Sequence, residues 1–250
     1  MKIPFIKMHA FGNDFAIFDC RKENKDLLLS SNDVIILADR NFGIGCDQVI
    51  VIYESTAPSD EKSLSVMTRI YNTDGSEAQQ CGNGMRCIAA YVLENEKQNL
   101  IKIQIGEKTI LAKYERDKKI VKVNMGIPVV TNDIVEIGNK HKVTVVENFD
   151  NIDKTINPEF NINYVKINSK TEVFVRTIER GVGETLSCGS GVCASVAYCI
   201  ANNLTEKIVR VITRGSDIMS SSLEVAWEGA GKPMLQAGSF TDVFKGEVEI

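Results

Sequence analysis

The stretch EAQQCGNGMRCIAAY, residues 77–91, sets a cysteine at the mouth of a glycine-rich turn and runs straight on into a helical pattern. Further along, ETLSCGSGVCASVAY, residues 184–198, repeats the layout. Aligning Cys81 with Cys188 fixes an offset of 188 − 81 = 107, which also pairs Glu77 with Glu184, Gly82 with Gly189 and Gly84 with Gly191. Ala90 with Ala197, Tyr91 with Tyr198, and Asn95 with Asn202 complete seven identities in the nineteen columns from 77 to 95. A duplication of this kind favours two halves of ordinary domain size over one large domain.

After Gly84, the apolar residues Met85, Ile88, Ala89, Val92 and Leu93 recur at i, i+3, i+4, i+7 and i+8, the pattern of a helix with one buried face. Val192, Val196, Cys199 and Ile200 carry the matching run. Each is predicted to be the central helix of a strand-rich half. Strand patterns surround them: VIVIY (49–53), IKIQI (101–105), TILAKY (109–114), IVKVNM (120–125), EVFVRTI (172–178), VRVIT (209–213) and LEVAW (223–227). A further helix is expected over SSNDVIILADR (30–40), where serines can cap and Asp33 falls in the first turn. The polar turn ERDKK (115–119) suits a boundary, giving domains 1–118 and 119–239. From about 118 to 170, turns, valines and charges alternate without a strong period, and no elements are assigned there.

Composition narrows the classes. Apolar residues make up 44% and charged residues 25%, as in proteins that bury a substantial core. A net charge of −4 with scattered Lys and Arg gives no basic field for nucleic acid. The N-terminal stretch lacks an apolar signal core, and no run approaches the ~18 apolar residues of a membrane span, so no membrane association and a cytoplasmic location are expected. Seven cysteines without a signal argue against a disulfide framework; Cys20, Cys46, Cys87, Cys193 and Cys199 read as small buried residues. With no CxxC and only His9 and His141, zinc spacing is absent and no metal site is expected.

Cys81 and Cys188 are different. The first backbone N–H groups of a helix lack intrahelical acceptors and can hold an anion or steady a thiolate. If that end contributes ~1–2 kcal/mol, a thiol of ordinary pKa near ~8.5 falls to roughly 7 or 8. Two equivalent halves facing each other would bring both thiols to one cleft. There, mutual repulsion would leave one thiolate and one thiol. One base and one acid on opposite faces of a carbon are what stereochemical inversion requires. A single CGxG would be read as a tight turn with a buried cysteine; the duplication, with glutamate four residues ahead each time, favours chemistry. A dithiol that cycles to a disulfide is the alternative from another class.

The chain resembles the diaminopimelate epimerase family over nearly its whole length. The resemblance rests on KMHAFGNDF (7–15), RNFGIGCDQ (40–48), YNTDGSEAQQCGNGMRC (71–87), NMGIP (124–128) and RTIERGVGETLSCGSGVCA (176–194). It implies an α/β fold of two pseudo-symmetric halves, each a mostly antiparallel sheet wrapped around a central helix, with the active site in the cleft between them. The segment from about 240 to 250 is expected to return to the first half. It also implies a cofactor-independent epimerase acting on a small-molecule amino-acid substrate, interconverting LL- and meso-2,6-diaminopimelate, with Cys81 and Cys188 as base and acid. Backbone N–H groups at Gly82, Asn83, Gly189 and Ser190 match the cradle for the reacting carboxylate. Asn13, Gln48, Asn72, Glu179 and Arg180 match further substrate-binding positions. Arg180 suits a distal carboxylate through a two-pronged hydrogen bond, and Glu179 an ammonium group. On local chemistry alone, Asn13 and Asn72 also fit turns, and Glu179 with Arg180 fits a solvated strand end. A homodimer is left open.

The departures cluster. The family's GNPH stands here as GNKH, residues 138–141, so Asn139 loses the proline that follows it in the family, and the next segment is shortened to NPEFNINYV (157–165). Asn161 matches the family's next substrate asparagine, with Asn163 as competitor. These positions bear on substrate more than on chemistry, and a racemase or epimerase of another amino acid on the same scaffold is the alternative within the class.

Overall fold

The computed structural model describes residues 2–57, 59–78 and 80–250. The chain runs β1 (Lys2–Ala10), β2 (Asn13–Asp19), α1 (Ser31–Ala38), β3 (Gln48–Glu54), β4 (Ser63–Asn72), α2 (Gly82–Leu93), β5 (Leu100–Ile105) and β6 (Lys108–Glu115). A 3₁₀ turn at Arg116–Lys118 leads to β7 (Ile120–Gly126), β8 (Val129–Thr131), β9 (Ile134–Ile137), β10 (Asn139–Val145), β11 (Asn161–Ser169), β12 (Glu172–Glu179) and β13 (Gly183–Thr185). Then follow α3 (Gly189–Ala201), β14 (Ile208–Ile212), α4 (Arg214–Met219), β15 (Leu223–Trp227), β16 (Met234–Gly238) and β17 (Thr241–Glu249). Two compact units emerge: residues 1–10, 14–121 and 240–250 form the first, and residues 11–13 and 122–239 the second.

In the first unit, β17 pairs antiparallel with β1 and β1 pairs with β2. From there β2 is parallel to β3, β3 antiparallel to β4, β4 parallel to β5 and β5 antiparallel to β6. The second unit repeats the series. β8 and β9 pair antiparallel, as do β9 and β10; β10 is then parallel to β11, β11 antiparallel to β12, β12 parallel to β14 and β14 antiparallel to β15. The central helix takes the same place in each series: α2 connects β4 to β5, and α3 connects β12 to β14. The fold is therefore a sheet-dominated α/β duplication.

Burial patterns follow from what covers each strand. All of Val49–Tyr53 in β3 is buried because both faces are covered. Val49, Val51 and Tyr53 join a core with Leu29, Val34 and Leu37 from the α1 region, while Ile50 lies under Gly84 of α2. β5 instead alternates buried and half-buried residues, the signature of one covered face. α1 starts as its sequence suggests, with Ser30 accepting from the Asp33 N–H and Asp33 reaching back to the Ser30 N–H. α2 is buried along all of its length except Tyr91, as expected of a helix with a single charged residue, Arg86.

The segment Phe11–Asn13 belongs to the second unit although it lies near the N-terminus. Phe11 and Gly12 both have positive φ, 56° and 86°. A Cβ on Gly12 would lie 2.5 Å from Leu186 Cδ1, and one on Gly215 would lie 1.9 Å from the Phe11 carbonyl oxygen. Gly215 also donates its N–H to the Leu186 oxygen at 2.9 Å. Only glycine fits both positions. Gly215→Ala should therefore push the Phe11 backbone away and lower the unfolding free energy by about 1–3 kcal/mol, readable in a urea titration.

Candidate functional site

In the first unit, β4 ends on Asn72, and a turn through Gly75 (φ 81°) brings Glu77 back to bridge Tyr71. The Asn72 side chain is engaged at both ends: Oδ1 accepts from Gln48 Nε2 at 2.9 Å and Nδ2 donates to Ser76 Oγ at 3.1 Å. Cys81 caps α2 in an extended conformation (φ −146°, ψ 101°), and its sulfur accepts the Gly84 N–H at 3.3 Å. Gly82 and Asn83 form the first turn, both buried, and Asn83 Oδ1 accepts from the fully buried Arg86. No acidic residue stands in that first turn.

The second unit carries the counterpart. Cys188 caps α3 (φ −109°, ψ 112°), again with no acidic residue in the first turn, where Gly189 and Ser190 lie. Its sulfur sits 3.6 Å from Ser190 Oγ. Glu179 closes β12 and accepts the Thr185 hydroxyl at 2.6 Å, while Asn161 Oδ1 accepts the Arg180 N–H at 2.8 Å. The Arg180 side chain is exposed, as is Asn139, which opens β10 after Gly138 (φ 73°). Asn13, half-buried, belongs to this unit through the Phe11–Asn13 segment.

Strand registers reveal a correspondence among these positions. Phe15 faces Gln48 across the parallel pair of the first unit, and Gln48 faces Asn72. In the second, His141 faces Asn161, and one step beyond the Ile162–Ile178 pair puts Asn161 opposite Glu179. Gln48 and Asn72 thus answer to Asn161 and Glu179, and Asn13, two residues before Phe15, answers to Asn139, two before His141. The 107-residue offset extends to an ion pair: Arg69 with Glu77 matches Arg176 with Glu184, the latter at 3.7 Å.

Electrostatics in the second unit turn on burial. A low thiol pKa was expected at Cys188 from its helix start; burial overturns this and, with the nearby Glu179 charge, pushes the thiol well above its ordinary value, against the opposing Ser190 and Gly191 hydrogen bonds. Burial likewise lowers His141 to about 4, so its ring is neutral near pH 7. At Glu184, burial opposes ionisation, yet Lys154 (2.9 Å), Arg214 (3.5 Å) and Arg176 (3.7 Å) hold its carboxyl below the usual range. Cys20, Cys46, Cys87, Cys193 and Cys199 are all buried, as their sequence settings suggest.

Three residues near Cys188 went unassigned in the sequence reading. His141 Nε2 is 3.0 Å from Ser190 Oγ, and its Nδ1 is 3.0 Å from the Asn163 Nδ2. Thr177 donates its hydroxyl to Asn163 Oδ1 at 2.9 Å. Gln236 donates to the Gly189 carbonyl at 2.8 Å, anchoring the first turn of α3. The alternation of β11 and β12, which turns Asn161, Asn163, Val173, Val175 and Thr177 to the buried face, carried the signal for Asn163 and Thr177. With its amide committed to His141 and Thr177, Asn163 is fully buried, whereas Asn161 lies at the end of the strand.

The repeated topology and its two cysteine-capped helices define a class: duplicated α/β proteins with a thiol at the start of each central helix. The chain belongs to the diaminopimelate epimerase family, whose model matches residues 5–131 and 134–235. The diaminopimelate epimerase of Aromatoleum aromaticum is 35% identical over 287 residues, covering 100% of both chains. That of Teredinibacter turnerae is 35% identical over 289 residues, again covering 100% of both. Among solved structures, a PhzF-family phenazine biosynthesis protein of Bacillus anthracis has a TM-score of 0.74 at 17% identity, covering 100% of both chains. A hydroxyproline epimerase from Agrobacterium vitis has a TM-score of 0.67 at 12% identity, covering 99% of this chain and 92% of that one. These two likenesses speak for the fold.

The buried neutral His141 also makes a stability prediction. Its folded pKa of about 4 lies below the ordinary imidazole value of 6.5, so the unfolded chain binds the extra proton first and stability is lost as pH falls from 6.5 to 4. The loss is on the order of 3 kcal/mol. Urea titrations at the two ends of that window should show a larger loss for the wild type than for His141→Phe, which has no ring to charge.

Proposed function

We propose that the protein is a cofactor-independent isomerase that interconverts LL- and meso-2,6-diaminopimelate, serving lysine and peptidoglycan precursor synthesis in the cytoplasm. The observation that carries the reading is the repeated cysteine cap: Cys81 and Cys188 stand at equivalent helix starts, 107 residues apart, in a chain of this family.

In the proposed reaction one cysteine, as thiolate, takes the α-proton, and the other, as thiol, returns a proton to the opposite face. The two exchange roles with direction. The resting Cys188, held protonated by burial and by Glu179, enters as the acid. Backbone N–H groups at Gly82, Asn83, Gly189 and Ser190 receive the reacting carboxylate and spread the negative charge that builds beside the α-carbon. Asn13, Gln48, Asn72, Asn139 and Asn161 supply amide contacts to the remainder of the substrate, Glu179 pairs an ammonium, and the exposed Arg180 grips the distal carboxylate in a two-pronged hydrogen bond.

Incubation of the reduced protein with LL-diaminopimelate in deuterium oxide tests the reaction, since inversion through a solvent-exchanging thiol must place deuterium at the α-carbon without added cofactor. No label overturns the reading and favours dithiol chemistry. Cys81→Ser and Cys188→Ser should each lower the rate by about 10²–10⁴, the usual contribution of acid–base catalysis, with Cys193→Ser close to wild type. Arg180→Ala should cripple turnover of diaminopimelate; unchanged turnover would point to another amino acid as substrate.

A further inference from the structure

Corresponding positions beneath the two central helices carry different chemistry. Under α2 the layer is Phe15, Ile50 and Ile70, all apolar and at most 1% exposed. Under α3 the register equivalents are His141, Asn163 and Thr177, all polar and at most 3% exposed. The first unit thus demonstrates that an apolar layer satisfies this architecture. Burying three polar side chains where hydrocarbon would serve is costly unless each finds its partner, and here each does.

The partners run in one direction. The Thr177 hydroxyl donates to Asn163 Oδ1, so the Asn163 amide offers its N–H to His141 Nδ1. A ring nitrogen that accepts carries no proton, so in the neutral ring the hydrogen sits on Nε2. Nε2–H then donates to Ser190 Oγ at 3.0 Å, which leaves the serine's own hydrogen free to turn to the Cys188 sulfur at 3.6 Å. Beneath Cys81 the equivalent positions are Ile50 and Ile70, whose side chains cannot hydrogen-bond.

We propose that Asn163 and Thr177 are positioning residues that hold His141 as the Nε2–H tautomer, so that Ser190 donates its hydroxyl hydrogen to the Cys188 thiolate. This deepens the proposed reaction and rests on it for its catalytic consequence. When Cys188 gives its proton to the substrate carbanion, the S–H bond breaks and a C–H bond forms. The negative charge left on sulfur then receives the Ser190 O–H; no proton travels along the line itself.

Two measurements on the full chain test it. The first reads the tautomer without reference to turnover. With only His9 and His141 to assign, ¹⁵N-histidine labelling and a His9→Gln control identify the His141 ring, which should show Nε2–H at neutral pH. An Nδ1–H ring overturns the proposal. The second reads α-deuteration. Asn163→Asp, whose carboxylate only accepts, should move the proton to Nδ1 and lower kcat by about tenfold to a hundredfold, the worth of one hydrogen bond to a charged group. KM should change by less than about threefold. Thr177→Val should also lower kcat, and Thr177→Ser should restore it. Wild-type kcat and tautomer in both Asn163→Asp and Thr177→Val would overturn the assignment. Absence of deuteration in the wild type would instead defeat the reaction and leave the tautomer result standing.

Discussion

Gly191 can carry a hydrogen and nothing larger: a Cβ there would lie 2.4 Å from Asn163 Oδ1 and 2.9 Å from Thr177 Oγ1. At the equivalent Gly84 a Cβ would press on Ile50 at 3.2 Å. This close approach seats the first turn of each central helix directly on the strands below. It also determines where the residue three positions earlier must stand. Cys81 and Cys188 are the caps because the helix begins at the point of contact, and a cap residue has its side chain beside the unpaired N–H groups of the first turn. The glycines of CGNG and CGSG are therefore as much a part of the candidate site as the thiols.

From that shared device the two units diverge in what lies underneath. Apolar Phe15, Ile50 and Ile70 stabilise the first by burial, without direction. His141, Asn163 and Thr177 stabilise the second only through oriented hydrogen bonds, and any one left unpaired would be destabilising. The duplicated fold thus tolerates either solution, and the directional one beneath Cys188 gives the two helix starts different surroundings.

Most of the architecture is legible in the residues because its elements carry a period. VIVIY, EVFVRTI and LEVAW announce strands, Ser30 with Asp33 announces α1, and the offset of 107 announces the duplication. β10 shows why residues 118–170 resist such reading. Only His141 and Val143 of its seven residues are buried, so no apolar alternation can be seen. The line from Thr177 to Ser190 is hidden for another reason: it joins three strands and a helix whose registers no single stretch of sequence contains. Asn161 and Asn163 alternate onto one face of β11 and look alike in sequence. Only their neighbours distinguish the residue at the strand's end from the one buried against His141.

The thiol itself shows which effect wins. A helix start favours thiolate by ~1–2 kcal/mol, enough to move an ordinary thiol toward neutrality. At Cys188 that contribution acts on a sulfur almost wholly removed from water and close to the Glu179 carboxylate, and both of these oppose ionisation. Burial dominates, and the resting group is the thiol. Sequence reasoning left one thiolate and one thiol through repulsion between two like thiols; burial and the Glu179 charge keep Cys188 a thiol without that repulsion. In the proposed reaction, the environment that makes Cys188 a base would arrive with the substrate. An ammonium paired with Glu179 would cancel the charge that raises the thiol, and the Ser190 hydroxyl would meet the thiolate once it forms. The same residue that binds would in this way control which of the two proton transfers is available.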